Sequence, residues 1–195
     1  MEEIEVPSRE ELEEMRSKAF TRKVALTTAI YAVVLAITSL AGNTATKEMM
    51  LFQQRASDQW AFYQAKNIRE LIYRTESMRL EAEMLERRAS MKPDAVKRYE
   101  TLLSDMRAEQ SRYLGEKEEI EKEAKTLEGE RDKFLAKDPY FDYAEVLLQI
   151  SIVLASISIL AVSRPVYLIS FCSAVLGALL MLDGHFLIFK LPFLH

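Results

Sequence analysis

Residues 45–137 form a long, highly charged stretch with a single proline, Pro93, near its middle and apolar runs on both sides. Between Gln54 and Lys92 there is neither glycine nor proline, and Ala, Leu, Met, Glu, Arg and Gln are abundant, all of them good helix formers. Small and apolar residues, with a few polar ones, recur at alternating steps of three and four: Ala61, Gln64, Ile68, Leu71, Thr75, Met78, Ala82, Leu85, Ala89. This is the spacing of a heptad seam. Proline lacks the N–H and clashes with the preceding helical turn, so the pattern breaks at residues 90–94. It resumes at Val96, Tyr99, Leu103, Met106, Gln110, Tyr113, Lys117, Ile120, Ala124, Leu127, Arg131 and Phe134. Each arm spans roughly 65–70 Å at the helical rise. Equal arms around one breaker predict an antiparallel hairpin. A single kinked rod would carry the two flanking apolar segments too far apart for one membrane. The expected fold class is an all-α membrane protein with three transmembrane helices and a long antiparallel coiled-coil hairpin outside the membrane.

The seam is poor in large apolar residues, with Thr75, Gln110, Lys117 and Arg131 on it. A second stripe, Leu80, Met84 and Met91 on one arm and Leu102 and Leu114 on the other, finds no partner in this hairpin pattern. Exposed apolar stripes mark partner surfaces, so Leu80 and Met84 are candidate self-association residues and a homo-oligomer is expected. Scattered surface apolar residues are the plainer explanation.

Composition narrows the function classes. The 26 basic and 30 acidic residues of the 195-residue chain are interleaved, as in Glu116-Lys117-Glu118-Glu119. A nucleic-acid partner needs a one-signed patch and is not expected. Alternating charge instead fits a solvated coiled-coil face. The single cysteine, Cys172, excludes an internal disulfide and is expected to be a small buried residue. No glycine-rich phosphate loop and no strand pattern is present. The two histidines, His185 and His195, have no serine or cysteine partner in a catalytic arrangement. Asp183 with His185 is too small a set for a metal site. No enzymatic activity, cofactor or metal is expected.

Ser8 and Glu11 have capping-box spacing, with Pro7 just outside, so a short helix is expected before residue 24. Residues 24–41 are long and apolar enough to cross a bilayer. The preceding segment is too long and too acidic for a signal peptide, so an uncleaved anchor is expected. Arg16, Lys18, Arg22 and Lys23 outweigh Lys47, which predicts a cytoplasmic N-terminus and a hairpin on the outer face, periplasmic in a Gram-negative host. Residues 144–162 and 166–182 are expected as the second and third spans, joined by a short link around Ser163-Arg164-Pro165. Tyr140, Phe141 and Tyr143 suit a membrane interface. Asp142 and Glu145 have N-cap and N3 spacing, and Gly184 is expected as a C-cap. Gln149, Ser156 and Ser163 share one face of the second span, as glue between helices or, less simply, a pore lining. Residues 183–195 are expected to form an apolar interfacial tail.

Trp60, Tyr63 and Asn67 share a face beside the first-arm seam. They form either a packed polar-aromatic layer that fixes register, the preferred reading, or a surface for a ligand or an envelope protein partner. The surrounding Asp58-Gln59-Trp60-Ala61-Phe62-Tyr63-Gln64-Ala65-Lys66-Asn67, and the apolar pair beginning near Phe141, resemble a bacterial membrane family known as domain of unknown function 4337. The resemblance implies a bacterial inner-membrane location and this architecture, and no activity. Three functions compete: a self-associating scaffold, favoured; an oligomeric conduit or transporter accessory subunit; and an envelope sensor reading a ligand near Trp60 and Tyr63.

Overall fold

The computed structural model describes residues 8–188. Its long elements are α1 (Arg9–Arg87), α2 (Pro93–Leu135), α3 (Asp138–Leu160) and α4 (Arg164–Phe186), with a 3-10 turn over Arg88–Ser90. No strand occurs among the described residues. Stretches of α1, α3 and α4 are long and apolar enough to cross a membrane. Pro93 opens α2, where its missing N–H costs no helical bond.

A reciprocal capping box starts α1. The Ser8 N–H donates to Glu11 Oε2 at 2.8 Å, and the Glu11 N–H donates to Ser8 Oγ at 3.3 Å. Pro7 lies outside the described residues, as do residues 189–195 of the expected tail. The short N-terminal helix is not separate: α1 runs unbroken through residues 24–41 and on through Gly42-Asn43-Thr44. A lone glycine costs only about 1 kcal/mol in a helix. The Thr44 and Thr46 hydroxyls there bond back to the carbonyls of Leu40 and Gly42, at 2.8 and 3.0 Å.

The described residues divide into two compact units, one from residues 8–48 and 133–188, the other from 49–132. In the first unit α1 buries Val24, Tyr31, Thr38 and Ala45, one residue in seven. Ala144, Ser151 and Ser158 on α3, and Ser170, Gly177 and Gly184 on α4, repeat the same interval and are also buried. Small residues at this period let helix backbones approach closely. Between α3 and α4 the Ser170 hydroxyl donates to the Ser151 carbonyl at 2.7 Å, and the Ser173 hydroxyl to the Leu147 carbonyl at 2.9 Å. Cross-helix bonds of this kind contribute roughly 0.6 kcal/mol each in a membrane protein.

Several expectations are corrected in this unit. Tyr140 and Phe141 are buried against neighbouring helices, and Tyr143 is exposed. Asp142 is not an N-cap. Lys137 occupies that position, because Pro139 suits the first turn of α3 and starts the helix before Asp142 is reached. Gly184 is not a C-cap either: α4 continues to Phe186 and ends on Leu187 in the left-handed region, φ 50°. Gly184 is needed inside the helix because Tyr140 packs against it; a Cβ there would meet Tyr140 Cβ at 2.8 Å. Gly177 likewise receives Leu148, and Gly42 receives Phe141. Cys172 is exposed on α4, not buried.

In the second unit, contacts between α1 and α2 run in antiparallel order. Gln53 meets Arg131, Trp60 meets Glu128, Asn67 meets Lys117 and Tyr73 meets Tyr113, and Arg88 of the 3-10 turn meets Glu100. On α2 the buried residues Leu103, Tyr113 and Ala124 fall on the expected seam. On α1 the seam has a different phase. Ala56, Glu70, Ser77 and Met84 are buried, whereas the expected Ile68, Leu71, Met78 and Leu85 are 59, 55, 61 and 80% exposed. Tyr113, Gln110 and Lys117 of α2 supply polar and aromatic partners that the more apolar α1 face could not use.

The glycines give opposite predictions. Gly184→Ala forces a Cβ against Tyr140, and overpacking of this kind costs about 1–3 kcal/mol. Gly115 in α2 has nothing within 4 Å, so Gly115→Ala should stabilise by up to about 1 kcal/mol. Thermal unfolding of both variants in detergent checks this, and equal shifts would contradict it.

Candidate functional site

The densest set of specific contacts lies in the second unit, on the α1 face carrying Trp60, Tyr63 and Asn67. The Trp60 Nε1–H donates to Glu128 Oε1 at 2.9 Å, and its ring meets Tyr63 edge-on with centroids 5.4 Å apart. Lys117 donates to Asn67 Oδ1 at 2.9 Å and sits 5.6 Å above the Tyr63 ring. Its ammonium also lies 3.5 Å from the buried Glu70 carboxylate, which accepts a bond from Gln110 Nε2 at 3.2 Å. One turn further along α1, Tyr73 stacks on Tyr113 with centroids 5.7 Å apart. Lys66 and Arg112 lie 5.1 and 4.8 Å over that same Tyr113 ring. Each cation held over a ring contributes about 0.5–1 kcal/mol when exposed.

Lys66 also pairs with Glu116, and this hydrogen bond holds the Glu116 carboxyl below its ordinary value, with the nearby Lys66, Arg112 and Arg69 charges adding to it. Trp60, Lys66, Glu70 and Asn67 of α1 are thus each engaged by a polar residue of α2. A shift of one residue between the helices would strand Glu70, Lys117 and Trp60 together. Among the described residues no group of three His, Cys, Asp or Glu is placed to hold a metal.

The remaining candidates lie elsewhere. Met84 is buried, and it lines a cavity of about 210 Å³ with Leu103 of α2; Leu80 is half-buried. Met84 therefore has a partner inside its own unit. Gln149 and Ser156 are exposed on α3. Gln149 Nε2 donates to Glu145 at 3.1 Å and the Ser156 hydroxyl to the Ile152 carbonyl at 2.9 Å, so both close on their own helix. The helix-bridging role falls to Ser170 and Ser173. His185 is exposed, its ring edge-on to Phe186 at 5.0 Å. Sequence spacing misses Glu70, Tyr73 and Glu128. Only Glu70 carries a signal, the seven-residue ladder Ala56, Tyr63, Glu70, Ser77, Met84, hidden by its polarity.

A basic groove of about 740 Å³ lies in the first unit, lined by Arg16, Phe20 and Lys23 of α1 and by Arg164, Tyr167 and Leu168 of α4. Phe20 meets Tyr167 edge-on at 5.9 Å, and Lys23 lies 5.9 Å over the Tyr167 ring.

The Lys66–Glu116 pair has a pH signature. Because the folded value of Glu116 is depressed, its contribution is full above the ordinary carboxylate range and is lost as pH falls through the folded value. The stability gap between wild type and Glu116→Gln should therefore be widest near neutral pH and close on acidification. Thermal unfolding across pH measures it, and a gap that stays constant into acid would refute the assignment.

No curated protein and no solved structure matches the chain. A family model described as domain of unknown function (DUF4337) matches residues 20–187, and the chain belongs to that family.

Proposed function

We propose that this protein is a membrane-anchored scaffold whose coiled-coil hairpin self-associates, without catalysis. In this reading the apolar stretches of α1, α3 and α4 span a bacterial inner membrane, and Arg16, Lys18, Arg22 and Lys23 keep the N-terminus cytoplasmic by charge bias. The hairpin of residues 49–132 then stands on the periplasmic side.

One observation carries the self-association. The outward face of α1 in the second unit bears Ile68, Leu71, Met78 and Leu85 at heptad spacing, with Ala61 before them and Thr75 and Ala82 between them, all exposed. A helix from a second copy is the natural cover for such a stripe, because heptad spacing matches a helical partner and no other regular element. Burying a Leu or Met side chain that is now exposed is worth about 1.5–3 kcal/mol at most. Four such residues per chain are enough to hold a pair of hairpins together.

Trp60 and Tyr63 are engaged by Glu128 and Lys117, which favours the register role over ligand sensing. The conduit reading keeps one supporting observation, the exposure of Gln149 and Ser156 on α3.

The test is the mass of the full chain in nanodiscs. Wild type should be a dimer or higher, Leu71→Glu with Met78→Glu a monomer of unchanged helicity. Met84→Glu, inside the hairpin, should instead lower thermal stability by several kcal/mol, since it buries a charge. A wild-type monomer, or a double variant that keeps its mass, would sink the scaffold reading. A closed ring of four or more subunits would favour the conduit.

A further inference from the structure

The groove between the start of α1 and the start of α4 holds three cations on two helices. Arg16 and Lys23 are seven residues apart on one face of α1, and Arg164 faces them from α4. None of the three has an ion-pair partner among the described residues, and no carboxylate lines the groove. By contrast, Lys18 on the same helix is paired with Glu14 at 2.6 Å. Between the cations lie Ala19, Phe20, Pro165, Tyr167 and Leu168, an apolar and aromatic floor. Unanswered positive charge above an apolar floor is the complement of one ligand class, a phosphate carried on hydrocarbon. A soluble anion would leave the floor wet, and a neutral lipid would leave the three charges unanswered.

We propose that this groove binds the phosphate headgroup of an anionic phospholipid, with Arg16, Lys23 and Arg164 on the phosphate and Phe20, Tyr167 and Leu168 along the top of the acyl chains. Basic pockets between spanning helices on the cytoplasmic side recognise headgroups in this way. The proposal rests on the membrane reading above, and it adds a defined lipid to it. It also gives the cations a role beyond orientation. A charge that only orients the chain need not be gathered from two helices onto one groove.

The full chain, purified in a neutral detergent, is titrated with phosphatidylglycerol and with phosphatidylcholine of the same acyl chains, and bound lipid is counted by native mass spectrometry. Detergent solution removes any effect of the variants on membrane orientation. Wild type should retain phosphatidylglycerol over phosphatidylcholine. Lys23→Gln and Arg164→Gln should each weaken that preference roughly fivefold, Lys23→Arg should restore it, and Arg22→Gln, which lies outside the groove, should leave it intact. Both lipids held equally, or an equal loss in Arg22→Gln, would overturn the groove while leaving the membrane reading standing. Retention of neither lipid would likewise overturn the groove and leave the membrane reading standing. Displacement of phosphatidylglycerol by equimolar inorganic phosphate would assign the site to a free anion and overturn the lipid.

Discussion

A carboxylate placed inside a two-helix interface destabilises it unless other groups answer the charge. Glu70 is 8% exposed, and Lys117 and Gln110 of α2 answer it. Those two sit beside Tyr113, which takes Tyr73 and the Lys66 ammonium. Such a network permits one register. A slip along the helices would leave a buried charge without its partner, which costs about 3–5 kcal/mol. The phase of α1 follows from this. Once Glu70 faces α2, Ala56, Tyr63, Ser77 and Met84 must face it too, and Ile68, Leu71, Met78 and Leu85 must turn away. Register is therefore secured by polar contacts, and the richer apolar face is left over.

The first unit is ordered by shape. Four of its buried hydroxyls, on Thr38, Ser151, Ser158 and Ser170, bond to backbone carbonyls, while the Tyr31 hydroxyl is buried without a hydrogen-bond partner among the described residues. Its closest approaches are at Gly177 and Gly184, where α3 presses a leucine and a tyrosine onto α4. Where Pro139 starts α3 decides this. Helix geometry from that point places Tyr140, Ala144, Leu148 and Ser151 on one face, toward α4 and the Gly177 and Gly184 that receive it.

How much of this could be read in advance differs by element. Ser8 and Glu11 announce their capping box because the chemistry is local. The α2 seam is legible because Leu103, Tyr113 and Ala124 all fall on the series that heptad spacing picks out, so pattern and burial coincide. On α1 they part. Choosing the stripe by hydrophobicity selects Ile68 and Leu71, while the actual seam is chosen by what α2 presents across from it, a non-local fact. The same limit explains α3: Gln149, Ser156 and Ser163 share a seven-residue interval with Ala144, Ser151 and Ser158, and spacing alone does not say which row meets a neighbour. Sequence alone marks Gly184 as a terminator, because a glycine near a helix end usually is one. Only the Tyr140 contact distinguishes a close approach from a stop.

Exposed apolar surface has two different physical explanations in the two units. On α1 the first unit exposes Leu26, Ile30, Val33 and Ile37 within a stretch free of charge. If that stretch spans a bilayer, hydrocarbon answers those side chains, and nothing further is needed. Ile68, Leu71, Met78 and Leu85 cannot be answered so. Arg69, Arg74, Glu76 and Arg79 are interleaved with them, and charges at that density do not enter hydrocarbon. Water is the poor alternative, since a largely apolar heptad row in solvent forgoes the burial that drives helix association. A protein partner whose own charges can sit beside these and whose apolar residues recur at the same interval is what remains. The outward row of a second copy would meet both conditions, so the charge pattern around the stripe, as much as the stripe itself, supports the proposed self-association.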